Sequence, residues 1–423
     1  MNRLRIRWIA WLSLLAVLLI GVLAAVYVVF FFGGRIHPEP WQFLAQVDQL
    51  EQSSGDPASA QMLGAALAVL GRDDEVRRLD MFPQSAEYPQ LETPRSTVAV
   101  DVLKLNVVPW RSGLVEIAAK HSIVMMMEAH VDSKHREFIG ATLPILRDAG
   151  FTHYAAEAIS QYDPALAERG YPNKFTGVYT ADPQFGNLLR RAFDLKFTVV
   201  GYDYRFTTHE EREEFAAARL AELFQNGAET KLLVHAGYSH VIKHETKSGQ
   251  RWLASLLWEK TGIEPFTIWQ WSSASDAHDY EKVVSVLKAR GERMGEPVLL
   301  MPPPALDSGL QDSPYGLGNV DAIVVHPPDE SVAPAKRTVL FPDSMQRLSG
   351  RWTASQWPVV VSAYKKGEPI DAIPLDQVML RQGEAEFVLW IPKGTEYEIR
   401  VFNRAGVLDA RVDGDGDFLS VGL

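Results

Sequence analysis

From Ser122 to Glu128 the chain reads SIVMMME, and the next eight positions, AHVDSKHR, carry two imidazoles, an acid, a lysine and an arginine. An unbroken apolar run of that length suits a strand covered on both faces, and a charged stretch directly after it marks the point where the chain leaves the core. The same rhythm recurs along the chain. Short apolar or β-branched runs occur as HYAA at 153, FTVVGY at 197, KLLVHA at 231 and FTIWQW at 266, separated by helical stretches such as EEREEFAAARLAELFQ at 210–225. PVLLM at 297 and DAIVVH at 321 are predicted to finish the sheet, and TVAVDVLKLNVV at 97–108 reads as a strand entering it. The alternation predicts an α/β fold with a mostly parallel sheet and helices on both faces. YPNKFTGVYTADPQFGN, 171–187, reads as a loop over one end, with Tyr171, Phe175, Tyr179 and Phe185 available to cover a ligand.

The flanks obey other patterns. Trp8 to Phe32 is a run without a charge, preceded by Arg3, Arg5 and Arg7. As a helix it would be roughly 37 Å long, enough to cross a hydrocarbon core of about 30 Å. The arginines before it predict a cytoplasmic N-terminus, with the bulk of the chain periplasmic or extracellular. Residues 1–35 are thus expected to be a transmembrane anchor and 36–96 a helical, Pro-rich connector, broken by Pro83, Pro89 and Pro94. Residues 97–335 carry the α/β pattern. From 339 to 423 the helical period is lost and alternating runs such as WPVVVSAYKK and EAEFVLWIP predict a small antiparallel β-domain of sandwich type. The DGDGD tail lacks the last acid of an EF-hand loop and reads as a hairpin turn.

Composition narrows the partners. The formal charge of −11 includes the three N-terminal arginines, so the remainder is more acidic still and has no basic stripe for nucleic acid. Cysteine is absent, which excludes disulfides, thiolate metal sites and cysteine nucleophiles. No HExxH, P-loop or GxGxxG occurs, and GYSHV departs from the GxSxG elbow at Val241.

In an open parallel sheet ligands bind beyond the carboxyl ends of the strands. The residues at each strand exit are therefore informative: Glu128 and His130 after the first run, Glu157 after HYAA, Asp203 after FTVVGY, Gly237 and His240 after KLLVHA. Glu128 and His130 are two apart and project to one side if extended geometry persists, and Gly237 allows a tight turn that brings in His240. Glu128, His130, Glu157 and His240 are the candidate catalytic residues, with Arg136, Asp203 and Tyr238 as candidate substrate contacts. Arg136 has an equally good structural alternative as the i,i+4 partner of Asp132. His235, at the end of a strand run, is expected to be buried against the sheet, and His153, His209, His244 and His278 to be structural or solvated. Glu128, His130 and His240 could also ligate a divalent metal such as Mn or Zn, and residue types alone do not separate that from a metal-free general base held by an acid.

MEAHVDSKHREFIGATLPILRDAGFTHYAAEA and HAGYSH resemble the acid, histidine, helix, acid and GxxH blocks shared by erythromycin esterases and ChaN-like haem-binding lipoproteins, related to TIKI and TraB-type proteins. The resemblance covers about 120–270. It implies Glu128 and His130 as central acid and imidazole, Glu157 as the second-strand acid and His240 as the histidine of GxxH. Met127 stands where the family usually has glycine, and the single residue between acid and histidine matches the ChaN-like branch. Two functions are therefore expected to compete: hydrolysis of a small-molecule or peptide substrate, or binding of haem or a metal without turnover.

Overall fold

The computed structural model describes residues 40–423 apart from 53–56, 80, 82–101, 162, 204–207, 226–228, 246–248, 275–276, 303–319, 330–333 and 414–417. The expected anchor and much of the Pro-rich connector lie outside the described residues. Among those described, no helix is long and apolar enough to cross a membrane.

Helices α1 (Pro40–Gln52), α2 (Pro57–Val69) and α3 (Asp73–Val76) precede the sheet. After them come β1 (Asn106–Pro109), α4 (Trp110–Lys120), β2 (Ile123–Glu128), α5 (Ser133–Asp148), β3 (His153–Ala156), α6 (Leu166–Arg169), α7 (Pro183–Asp194), β4 (Thr198–Gly201), α8 (His209–Ala221) and β5 (Leu232–Gly237). Next are α9 (Leu253–Thr261), β6 (Phe266–Trp271), α10 (Ala277–Ala289), β7 (Val298–Met301) and β8 (Ala322–Val325). The eight strands form one mixed sheet in the order β1-β7-β8-β6-β2-β5-β3-β4. The pairs from β8 to β4 are all parallel, whereas β7 is antiparallel to both of its neighbours. Of the long predicted entry strand, the described residues are extended only at β1.

β2 is buried at all six positions and divides its side chains between the two faces. Met125 and Met127 join Ala217, Leu220, Leu257 and Val283 on one side; Val124 and Met126 join Phe138, Ile139, Leu143 and Leu188 on the other. Helices on both sides explain why the strand is continuously apolar. α5 and α7 thus cover one face, α8, α9 and α10 the other. β2 and β5 lie side by side, and the chain leaves them toward opposite faces, into α5 and α9. That divergence opens the crevice in which open α/β sheets bind ligands.

The segment expected to be a loop from 171 to 187 becomes α7 at Pro183. Asp182 caps the helix by accepting from the Gln184 N–H at 2.7 Å, and proline at the first helical position fits because no N–H is needed there.

Downstream, β9 (Met345–Trp352), β10 (Val359–Lys365), β11 (Asp376–Leu380), β12 (Glu386–Pro392), β13 (Tyr397–Asn403), β14 (Gly406–Leu408), β15 (Arg411–Asp413) and β16 (Phe418–Gly422) form two four-stranded sheets, β11-β10-β13-β14 and β12-β9-β16-β15. The β16–β9 pair is parallel, so these sheets are not purely antiparallel. β15 and β16 pair antiparallel on either side of the DGDGD tail. β10 is buried on both faces: Val359, Val361 and Ala363 meet the other sheet, while Val360 and Tyr364 meet α1 and α2 through Phe43, Leu44, Val47 and Leu67. Ion pairs tie this part to the rest: Arg190 of α7 pairs with Glu368, and Arg72, between α2 and α3, pairs with Glu384.

Candidate active site

β2, β5 and β3 are adjacent, and their carboxyl ends deliver the site. Glu128, the last residue of β2, is almost fully buried. Its Oε2 accepts from Arg136 Nε at 2.7 Å, and Arg136 Nη2 lies 3.3 Å from Oε1. The other end of the guanidinium donates to Asp182 Oδ2 at 2.8 Å and to the His130 carbonyl at 3.0 Å. Arg136 therefore pairs with Glu128 and Asp182 instead of Asp132. Burial alone would raise the Glu128 carboxyl, but the Arg136 guanidinium and His235 hold it well below the usual range. His235 Nε2 stands 2.9 Å from Glu128 Oε2, and its Nδ1 is 2.7 Å from the Tyr154 hydroxyl. His235 is buried against the sheet, stacked on Phe185.

His130 Nδ1 is 3.0 Å from Glu128 Oε1. With Nδ1 donating to that carboxylate, Nε2 keeps its lone pair. The side chain is 19% exposed against 3% for Glu128, so the imidazole is the member that reaches outward. Tyr179 stacks on it at 3.9 Å between ring centroids, and Tyr238 meets it edge-on at 5.1 Å.

Gly237 is required for closeness. Its φ is −78°, open to any residue, so the turn falls on Tyr238, whose φ is +34°. A Cβ at Gly237 would lie 2.5 Å from His130 Cε1, 2.7 Å from His130 Nε2 and 3.1 Å from Glu157 Oε2. Only a residue without a side chain lets the β2 and β3 exits meet here.

Glu157 accepts from the Gly237 N–H at 2.6 Å and from Arg212 Nη2 at 2.5 Å. Burial pushes this carboxyl up, but His240, His130 and Arg212 outweigh it and bring it down to about 2. His240 Nε2 is 3.6 Å from Glu157 Oε1, and its Nδ1 is 2.9 Å from Glu213 Oε1. Burial opposes protonation of His240, yet Glu157 and Glu213 together raise it above its ordinary value. Asp203 forms a two-point pair with Arg212, at 2.7 and 2.9 Å, and is raised by burial.

The structure thus brings Glu128, His130, Glu157 and His240 to one crevice, but as two carboxylate–imidazole pairs. The sequence left open a divalent metal on Glu128, His130 and His240; in the structure Arg136 meets Glu128 with a positive charge, and His240 turns to Glu157 and Glu213. Among the described residues no group of three or more His, Asp or Glu side chains is arranged to hold a metal ion. Arg212, Glu213 and Asp182 were not singled out from the sequence. Glu213 had a readable signal, since it shares the i, i+3, i+4, i+7 stripe with Ala216, Ala217 and Leu220, all buried. Arg212 and Asp182 had none beyond helix charge and cap. His209, expected to be structural or solvated, lies 6.3 Å from His240 between ring centroids, and both rings meet Trp252 edge-on.

No protein-family model matches the chain, and no curated protein matches it. Among solved structures, the type III effector HopBA1 aligns at 17% identity over 40% of this chain and 87% of its own, with a TM-score of 0.28. RRSP, a MARTX toxin effector domain from Vibrio vulnificus, aligns at 14% identity over 54% of this chain and 46% of its own, at 0.29. ChaN of Campylobacter jejuni, described with cofacial heme binding, aligns at 11% identity over 53% of this chain and 94% of its own, at 0.30. The resemblance to ChaN-like folds is a weak structural one.

Proposed function

We propose that this chain is a hydrolase that cleaves an ester or amide bond placed over Gly237, with His130 as general base and His240 as general acid. The observation that carries the reading is the pair of imidazoles on either side of Gly237, each held at Nδ1 by a buried carboxylate. His130 Nε2 takes a proton from water as that water attacks the carbonyl carbon; Glu128 fixes the tautomer and steadies the resulting imidazolium. His240, whose protonated form Glu157 and Glu213 favour, donates from Nε2 to the leaving oxygen or nitrogen. Glu157 keeps that proton on His240 before attack and, with Arg212, orders the floor of the crevice. Each step needs only side chains at hand, and a metal would compete with Arg136 for Glu128. Tyr238, edge-on to His130, and Asp203, paired with Arg212, border the substrate.

The same reading keeps residues 1–35 as a membrane anchor, with 97–335 as the hydrolytic domain outside the cytoplasm and 339–423 beside it. The full chain in mild detergent should turn over p-nitrophenyl esters or unstructured peptides, and His130→Ala and His240→Ala should each lose about 10²–10⁴-fold. Wild-type turnover that persists in both variants sinks the assignment. So does a haem Soret band that is lost in both variants when the wild type shows no turnover on either class.

A further inference from the structure

A cavity of about 490 Å³ lies along α5 and α7, with the β-sheets of residues 345–422 forming its other wall. Its lining includes none of Glu128, His130, Glu157 or His240. Gly140, Ala141, Leu188 and Arg191 line it, further along the two helices from their capped ends. Arg136 contributes to its wall while its guanidinium holds Glu128.

The lining is divided. Leu188, Phe341, Met345, Leu375 and Pro392 give one apolar part. The polar part is carried by consecutive turns of α7. Gln184 and Arg190 are 4% and 7% exposed, yet Gln184 Nε2 and Arg190 Nη1 meet no hydrogen-bond acceptor among the described residues. The rest of the Arg190 guanidinium is committed, to Glu368 at 3.1 and 2.5 Å and to the Ile373 carbonyl. Arg191 and Lys365 stand exposed at the rim, without a carboxylate partner among the described residues. Two acids are also present. Asp194 is exposed at the rim, and Glu137 accepts from the Leu340 and Phe341 N–H groups while burial pushes it up to about 7. Buried donors without acceptors are costly, and those on a cavity wall beside cations call for an anionic acceptor.

We propose that this cavity binds a small amphiphile with a phosphate or carboxylate head and a short hydrocarbon body. The head accepts from Gln184 Nε2 and Arg190 Nη1 and faces Arg191 and Lys365. The body lies on Leu188, Phe341, Met345 and Leu375. A neutral alcohol would leave the cations unmatched, and a bare anion would leave the apolar wall wet. The site stands independently of the hydrolytic reading.

Calorimetric titration of the full chain with octyl phosphate below its micelle concentration, octanol and inorganic phosphate tests this. Octyl phosphate should bind with one site per chain, and the other two at least about tenfold more weakly. Arg191→Gln with Lys365→Gln should weaken octyl phosphate about tenfold or more, while Met345→Gln should weaken octyl phosphate and leave inorganic phosphate unchanged. Should the double variant fail to fold, Lys365→Gln alone, at an exposed position, carries the same expectation with a smaller loss. Equal affinity of wild type and rim variants for octyl phosphate overturns the proposal. Saturation only with phosphatidate vesicles also overturns it, because a bilayer headgroup would then be read at the surface and not in the cavity.

Discussion

The nine residues from Glu128 to Arg136 supply two clusters, both largely buried, of which only one reaches outward, through His130. Glu128, His130 and Arg136 face the crevice. Asp132 and His135 turn inward, where Asp132 caps α5 through the Lys134 N–H at 2.9 Å, takes the Ser272 hydroxyl and lies 3.5 Å from His135 Nε2. His135 accepts the Ala129 N–H at Nδ1 and stacks on His326, which is bonded to Gln270. Both inner rings are fully buried, and burial pushes His135 down to about 3 and His326 well below its ordinary value. In the crevice, buried acids raise His240 instead. Residue type is the same in the two clusters. For His135, His326 and His240 the direction is set by whether carboxylate charge facing the ring exceeds the cost of desolvating an imidazolium.

The sharpest way to break this comparison is to delete one histidine from each cluster. His130→Ala should cost about 10²–10⁴ in turnover, because an acid–base group is removed at a partly open position. His135→Ala should leave turnover within about tenfold and cost about 1–3 kcal/mol of stability, since the Ala129 N–H loses its acceptor in a sealed site. If the two variants exchange phenotypes, the inner cluster is the reactive one.

Next in size is Arg136→Met. Glu128 and Asp182 would remain buried without their shared cation, and urea unfolding should register a loss of about 3–5 kcal/mol. A loss under about 1 kcal/mol would mean that both acids reach water.

The clusters should also part company with pH. His135 stays neutral in the fold while the unfolded chain protonates it, so from about 6.5 down to about 3 the unfolded state binds more protons and stability falls with pH. Glu157 adds to that loss below its usual 4.5, as acid neutralises it toward about 2. His240 acts with the opposite sign: its raised value makes its ion pairs fully present below about 6.5 and lost as pH rises through the folded value. Urea midpoints across pH should show both arms, and His240→Gln should flatten the alkaline one and also reduce the part of the acid arm that Glu157 supplies, because His240 helps hold that carboxyl down. An unchanged alkaline arm in that variant would place its source elsewhere. The smallest expected effect is a control: Arg404→Ala breaks an exposed pair with Asp48 of α1, at 2.6 Å, and should cost under about 1 kcal/mol.

Much of the sheet was legible from local pattern. β2, β3, β5 and β6 fall where SIVMMM, HYAA, KLLVHA and FTIWQW stand, because strands buried on both faces must be apolar throughout. The exits were legible for the same reason, as Glu128, Glu157 and His240 are the first chemistry after each run. α7 was missed although Asp182-Pro183 is a helix-start signal, since the Gly and Pro content of its neighbours outweighed the cap. Glu213 was missed because Glu210, Glu211 and Glu214 crowd the same turns on the exposed side, which hid one acid on the buried stripe.

Local periodicity by itself determined that acids and imidazoles would gather at the carboxyl edge of a sheet. Only the tertiary structure decided the pairing, through the spatial order β2-β5-β3, which differs from the order along the chain. That order puts Gly237 between the β2 and β3 exits, with no side chain to part His130 from Glu157. It also sets Glu213, from α8, against His240. Such contacts join residues far apart in sequence, and no spacing rule encodes them, because the neighbour of a strand end is chosen by how the whole sheet packs.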